Sequence, residues 1–94
     1  MKDMTMAELA TLQNQQEVAI LDVRDQEDFL ARHFAGSLNI PEPDLEAQLD
    51  QLDRNQVYHV VCTKGIRAER ASQLLEKRGY EVVRIVDGWA DYQN

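Results

Sequence analysis

Cys62 is the single cysteine of this 94-residue chain, and it falls where a thiol can do chemistry. The run Val57-Tyr58-His59-Val60-Val61 is rich in β-branched and aromatic residues and ends at the sulfur. A short loop containing Gly65 comes next, and a helix-forming pattern opens near Ile66. This spacing predicts a thiol at the carboxyl end of a strand, facing the amino end of a helix. First-turn amides lack intrahelical acceptors and carry the positive end of the macrodipole, so anions are favoured there. Lys64, Arg67 and Arg70 add positive charge close by. Such a setting stabilises a thiolate and raises its nucleophilicity at neutral pH. Gly65 supplies the positive φ that a loop curling around the sulfur needs. The competing interpretation is that a lone cysteine ending a valine-rich strand is a small buried hydrophobe. The neighbouring cations and the strand-loop-helix setting are what argue for a reactive thiol.

Cys62-Thr63-Lys64-Gly65-Ile66-Arg67-Ala68 resembles the C-x-x-G-x-R-[S/T/A] active-site loop of single-domain rhodaneses, the thiosulfate and persulfide sulfurtransferases. Ile20-Leu21-Asp22-Val23-Arg24-Asp25, then Phe29, then His33-Phe34-Ala35-Gly36-Ser37-Leu38-Asn39-Ile40-Pro41 is similar to that family's LDVR…E(F/Y)…GHIPGAxNIP segment. Val86-Asp87-Gly88-Trp89 resembles its closing turn and tryptophan. Three positions depart from the pattern: Arg32 in place of a usual glycine, Ala35 in place of a frequent proline, and Gly88 alone where two glycines are usual.

The resemblance implies one three-layer rhodanese-like α/β domain over residues 1–94, with a mainly parallel sheet of four to five strands flanked by helices. It implies a sulfurtransferase that moves a sulfane sulfur from thiosulfate or a persulfide donor to a thiol or cyanide acceptor through a Cys62 persulfide. Main-chain amides from Thr63 through Lys64, Gly65 and Ile66 to Arg67 would cradle the persulfide anion. Lys64 at the rim would hold the incoming dianion, and Arg67 would shape the loop through a buried carboxylate. Asp22 or Arg24, placed under the cysteine loop, would brace Arg67 or the loop backbone. No cofactor and no metal are expected. The partners expected are an anionic sulfur donor and a thiol or protein acceptor.

Two other functions compete. A cysteine phosphatase or arsenate reductase wraps its oxyanion in a C-x5-R loop, whereas only four residues separate Cys62 from Arg67, and Ala68 at the next position has no side-chain donor. A binding module that keeps the fold without turnover is disfavoured by the presence of Cys62, Gly65 and Arg67 together.

A net charge of −7 argues against a nucleic-acid surface, but the charge is uneven. Residues 1–53 carry a net −9 and residues 54–94 a net +2, so the half with the cysteine is the basic one. No apolar run approaches the ~20 residues of a membrane span, and the amino end lacks the apolar core of a signal peptide. An intact protein free of membranes is expected, and an unpaired cysteine suits a reducing cytoplasm.

The elements that must position the thiol are set by periodicity. Thr5 and Glu8 form a capping box, predicting a helix to about Gln15 with Met6, Leu9, Ala10 and Leu12 at helical spacing. Val18–Val23 reads as a strand buried on both faces, with Asp22 needing a partner. Asp25 is a suitable N-cap for a short helix to Arg32. Ser37–Ile40 is a short strand, and Pro41 and Pro43 interrupt regular structure beyond it. Leu45, Leu49 and Leu52 predict a one-faced surface helix. The helix after the cysteine loop buries Ala68, Ala71, Leu74 and Leu75 and ends at Gly79. Val82–Val86 is the last strand, with Trp89 and Tyr92 plugging the bottom of the core. His33, by the same resemblance, is read as a packing and hydrogen-bonding residue, and His59 faces away from the side of Cys62.

Overall fold

In the computed structural model, which describes residues 1–93, the strands β1 (Lys2–Met4), β2 (Ala19–Asp22), β3 (Leu38–Asn39), β4 (Val57–Val61) and β5 (Glu81–Ile85) form one sheet. Their order is β1-β5-β4-β2-β3, and every pairing is parallel. Helices α1 (Met6–Gln15), α2 (Gln26–Ala31) and α3 (Ile66–Lys77) provide the connections, with short 3₁₀ turns at Glu42–Asp44, Glu46–Gln51 and Trp89–Asp91. Asn94, the last residue of the expected domain, lies outside the described residues. Among those residues no helix is long and apolar enough to cross a membrane.

The central strands carry the core on both faces, as their continuous apolar runs require. Tyr58, Val60 and Cys62 face α3, packing with Leu21, Val23, Ala68, Ala71 and Leu75. Val57 and Val61 face the other side, with Met6, Leu9 and Ile20. Alternation along β4 therefore sends Cys62 and His59 to opposite faces. His59 is buried and hydrogen-bonded through Nδ1 to the Ala19 carbonyl at 2.9 Å.

Local signals and structure agree at the caps. Thr5 Oγ1 accepts from the Glu8 N–H at 3.1 Å while Glu8 Oε1 accepts from the Thr5 N–H at 2.9 Å, both bonds of the expected box. Gly79 adopts φ +88° just past the α3 C-cap. Other expectations are corrected. Lys2–Met4 forms an edge strand that alternation in so short a segment could not announce. The leucine-spaced segment is two tight turns broken at Gln48 (φ −116°, ψ 21°) rather than an α-helix. Leu45 and Leu52 are still buried in the core, and the Tyr80 hydroxyl donates to the Leu49 carbonyl at 3.0 Å. Asp25 occupies the N-cap of α2 but makes no capping bond, because its carboxylate turns toward Arg67. Trp89 does not plug the bottom of the sheet. It sits at the carboxyl end beside the cysteine loop, where its N–H donates to the Cys62 carbonyl.

At the end of β2 the buried Asp22 is answered by its near neighbour Arg24, itself 4% exposed. The guanidinium folds back to grip both carboxylate oxygens, with Nη2 at 2.9 Å and Nε at 3.1 and 3.2 Å. Asn39 Nδ2 donates to the carbonyls of Asp22 and Arg24, tying the corner to β3. Removing one partner of a buried pair strands the other charge without solvent, at a cost of about 3–5 kcal/mol. Asp22→Ala should therefore lower the stability measured by urea unfolding by that amount, and an unchanged urea midpoint would refute the pairing.

Candidate active site

Cys62 directly succeeds the last residue of β4 and is 1% exposed. Two main-chain amides reach its sulfur: Gly65 N–H donates to Sγ at 3.0 Å and Ala68 N–H at 3.3 Å. The first helical bond of α3 runs from the Glu69 N–H to the Gly65 carbonyl at 3.0 Å. The amides of Ile66, Arg67 and Ala68 precede it and have no acceptor within the helix. The sulfur thus lies where orphan helix donors collect, as the spacing of strand, loop and helix implied. The expected cradle, Thr63 to Arg67, extends one residue further, to Ala68. Its amide contributes by position in the first turn, whatever the side chain.

Two glycines make the curl possible. Gly65 sits at φ +98°, and a Cβ there would lie 2.5 Å from the Val86 carbonyl oxygen, so it is needed for both conformation and space. Gly88 is extended, but a Cβ on it would collide with the carbonyl oxygens of Cys62 and Thr63. The close approach lets Trp89 N–H donate to the Cys62 carbonyl at 3.1 Å and Ala90 N–H to the Thr63 carbonyl at 2.9 Å. Sequence reading treats Gly88 only as part of a turn, because nothing local reveals a long-range backbone contact.

A cavity of about 370 Å³ opens above the sulfur, lined by Cys62, Thr63, Lys64, Ile66, Arg67 and Arg70. Its cations are held differently. Lys64 is exposed and has no salt-bridge partner among the described residues. Arg67 Nη2 donates to Thr63 Oγ1 at 3.3 Å, and its Nη1 lies 3.6 Å from the exposed Asp25 carboxylate. The expected buried carboxylate for Arg67 is therefore corrected: Asp22 is occupied by Arg24, and an exposed aspartate serves instead. Arg70 is gripped by Glu42 through Nε at 2.7 Å and Nη2 at 2.9 Å, a fork that the distance of 28 residues hides from sequence reading. Neither histidine joins this group. His33 is exposed, stacks on Phe29 with centroids 3.9 Å apart, and bonds the Phe29 carbonyl through Nδ1. Among the described residues no cluster of His, Cys, Asp and Glu could hold a metal.

With this geometry, residues 5–94 match the family described as Rhodanese-like domain. The chain belongs to the rhodanese-like family. It is 30% identical over 87 residues to the thiosulfate sulfurtransferase GlpE of Shewanella oneidensis, covering 93% of this chain and 86% of that protein. It is 32% identical over 74 residues to the putative sulfur carrier protein YrkF of Bacillus subtilis, covering 78% of this chain but only 40% of that longer protein. The crystal structure of a rhodanese-like domain protein from Staphylococcus aureus superposes with a TM-score of 0.90 at 27% identity, covering all of this chain and 93% of the other. The fold of this rhodanese-like chain therefore has a solved counterpart of nearly the same length.

The Glu42–Arg70 fork gives this rim a pH dependence. The Arg70 hydrogen bonds hold the Glu42 carboxyl below the usual glutamate value, against partial burial that pushes it up; the charges of Arg70 and Arg67 add to the lowering. A folded value below the unfolded one means that the pair contributes fully above the ordinary glutamate range. That contribution is lost as pH falls through the lowered Glu42 value. An NMR titration of the Glu42 carboxyl should show a midpoint below that of an unstructured peptide, moving up in Arg70→Gln. A midpoint that stays put in the variant would exclude the fork in solution.

Proposed function

We propose that this chain is a sulfurtransferase in which Cys62 carries the sulfur in transit as a persulfide. The observation that supports this most directly is the pair of amides aimed at Sγ from Gly65 and Ala68, below a cavity rimmed by three cations. Family membership and the names of the relatives point to the same chemistry. Residues 1–94 are taken as one rhodanese-like domain with one site, working in a reducing compartment such as the cytoplasm, where its thiol stays free.

The reaction runs in two displacements. Ionised Cys62 attacks the outer sulfur of thiosulfate, a new S–S bond forms, and the old one breaks with its electron pair leaving on sulfite. The enzyme then holds Cys62 Sγ–S⁻. An acceptor nucleophile, a thiolate or cyanide, attacks the terminal sulfur and Cys62 departs as thiolate. Amides of the loop stabilise the charge on the terminal sulfur, as an oxyanion hole does for oxygen. Lys64, the rim cation with no salt-bridge partner among the described residues, meets the dianionic donor and the departing sulfite. Arg67 and Arg70, each facing a carboxylate, shape the rim. The amides and cations can act on a protein acceptor as they act on a small thiol, and the similarity to a protein named as a sulfur carrier favours that extension of the same chemistry.

Incubation with thiosulfate and cyanide should release thiocyanate, and mass spectrometry should find one added sulfur on the protein. Both signals should vanish in Cys62→Ser. Absence of both from the wild type would overturn the enzyme in favour of a binding module, and phosphate release from an aryl phosphate would replace it with a phosphatase. Lys64→Ala should raise the KM for thiosulfate about two- to fivefold, the scale of one solvent-exposed ionic contact, with little change in melting temperature. An unaltered KM would remove Lys64 from substrate binding.

A further inference from the structure

We infer that Arg32 is a positioning residue for the cysteine loop, acting from outside the cavity through the backbone of residues 88–92; its effect on turnover rests on the sulfurtransferase function proposed above. Arg32 caps the end of α2, and its side chain is directed at the segment after β5. Its Nη2 donates to the Trp89 carbonyl at 3.0 Å and to the Tyr92 carbonyl at 2.9 Å. The same guanidinium lies 4.6 Å from the Trp89 ring centroid. One side chain thus holds the 3₁₀ turn and its C-cap by two carbonyls, both reached from Nη2, and by the Trp89 ring, over which only a guanidinium brings a planar face.

The part played by that turn makes the grip consequential. Its Trp89 and Ala90 amides are the donors to the carbonyls of Cys62 and Thr63. Arg32 fixes the carbonyl side of Trp89 while the N–H sides of Trp89 and Ala90 fix the cysteine loop. The other end of the grip is anchored as well. The Arg32 carbonyl accepts from Arg24 Nη2 at 2.5 Å, and Arg24 is held by the buried Asp22. A continuous series of contacts therefore runs from the end of β2 through Arg24, Arg32 and Trp89 to the peptide that bears the sulfur. Its outcome is the orientation of the Cys62 and Thr63 peptides, on which the approach of the Gly65 and Ala68 amides to Sγ depends. Arg32 is absent from the lining of the cysteine cavity and makes no contact with the sulfur, so it contributes by geometry alone.

The test compares wild type with Arg32→Ala and Arg32→Lys, after circular dichroism confirms that each is folded. Amide hydrogen exchange at Gly65 and Ala68, read by NMR, needs no turnover; it should speed up about tenfold in Arg32→Ala. In the thiosulfate and cyanide assay kcat should fall about five- to tenfold, with the KM for thiosulfate within about twofold of wild type, since misplaced reacting groups slow the chemical step. Arg32→Lys, keeping the charge but losing the planar guanidinium over the Trp89 ring, should lie between the two. It carries the comparison should Arg32→Ala fail to fold. Exchange at Gly65 and Ala68 identical to wild type in the folded variant would overturn the positioning role, even if the melting temperature falls. If the wild type makes no thiocyanate, the proposed function fails, while the exchange data still decide the role of Arg32.

Discussion

The carbonyls of Cys62 and Thr63 are bound by the amides of Trp89 and Ala90 across a gap so narrow that Gly88 has no room for a Cβ. This seam fixes the planes of the Cys62–Thr63 and Thr63–Lys64 peptides, since each amide is planar, and so sets the direction in which the loop leaves the sulfur. With the two carbonyls engaged by the carboxyl-terminal segment, the loop turns back over the sulfur and brings in the Gly65 and Ala68 amides. Gly65 is under the same constraint from the opposite side, pressed against the Val86 carbonyl at φ +98°. Both glycines are therefore read as space for backbone. The requirement at Gly88 is steric only, since its extended φ is open to any residue.

Behind the seam stands a polar core unusual for so small a chain. Asp22 and Arg24 are both buried and grip each other, Arg24 donating to the Arg32 carbonyl as well, and such a pair is tolerated in the interior when its geometry is good and further hydrogen bonds satisfy it. Arg24 also passes within 5.1 Å of the Trp89 ring, so this indole has a guanidinium from Arg24 and another from Arg32 close to it. The Trp89 Nε1 is buried and has no hydrogen-bond partner among the described residues. Cation contacts, together with the Phe34 and Tyr92 rings at 4.8 and 5.5 Å, hold the ring where it is.

Legibility in the sequence divides along the range of the interaction. The capping box at Thr5, the strand ending at Cys62, the helix opening at Ile66 and the positive φ at Gly65 are written within a few residues, and each was legible. So was the opposite facing of His59 and Cys62, since alternation along a strand is local. Lys2–Met4 was missed because three residues carry no period, and the strand exists only by pairing with β5. The spacing of Leu45, Leu49 and Leu52 does not distinguish a helix face from the 3₁₀ turns of 46–51. The carboxylate facing Arg67 is Asp25 rather than a buried one, because the guanidinium two residues from Asp22 already closes on it, a choice between arginines that the sequence does not declare. Arg32 stood out in the sequence only as a departure from a glycine; its contacts lie 57 and 60 residues away.

Burial of the sulfur at 1% exposure is what an inert core cysteine would show, and Cys62 does pack with Val60, Ala68 and Leu75. The two assignments separate on the amides. A cysteine used as a hydrophobe needs only apolar neighbours, and main-chain N–H groups near it would find oxygen acceptors instead. Here two amides, one at 3.0 Å, are directed at sulfur, an acceptor too weak as a thiol to justify them. They fit a sulfur that bears negative charge for part of its working life. Low exposure then becomes part of the chemistry, because donors shielded from water act more strongly on an anion than the same donors in solvent. The cavity beside the sulfur is bounded by Lys64, Arg67 and Arg70, whose charges favour an anion.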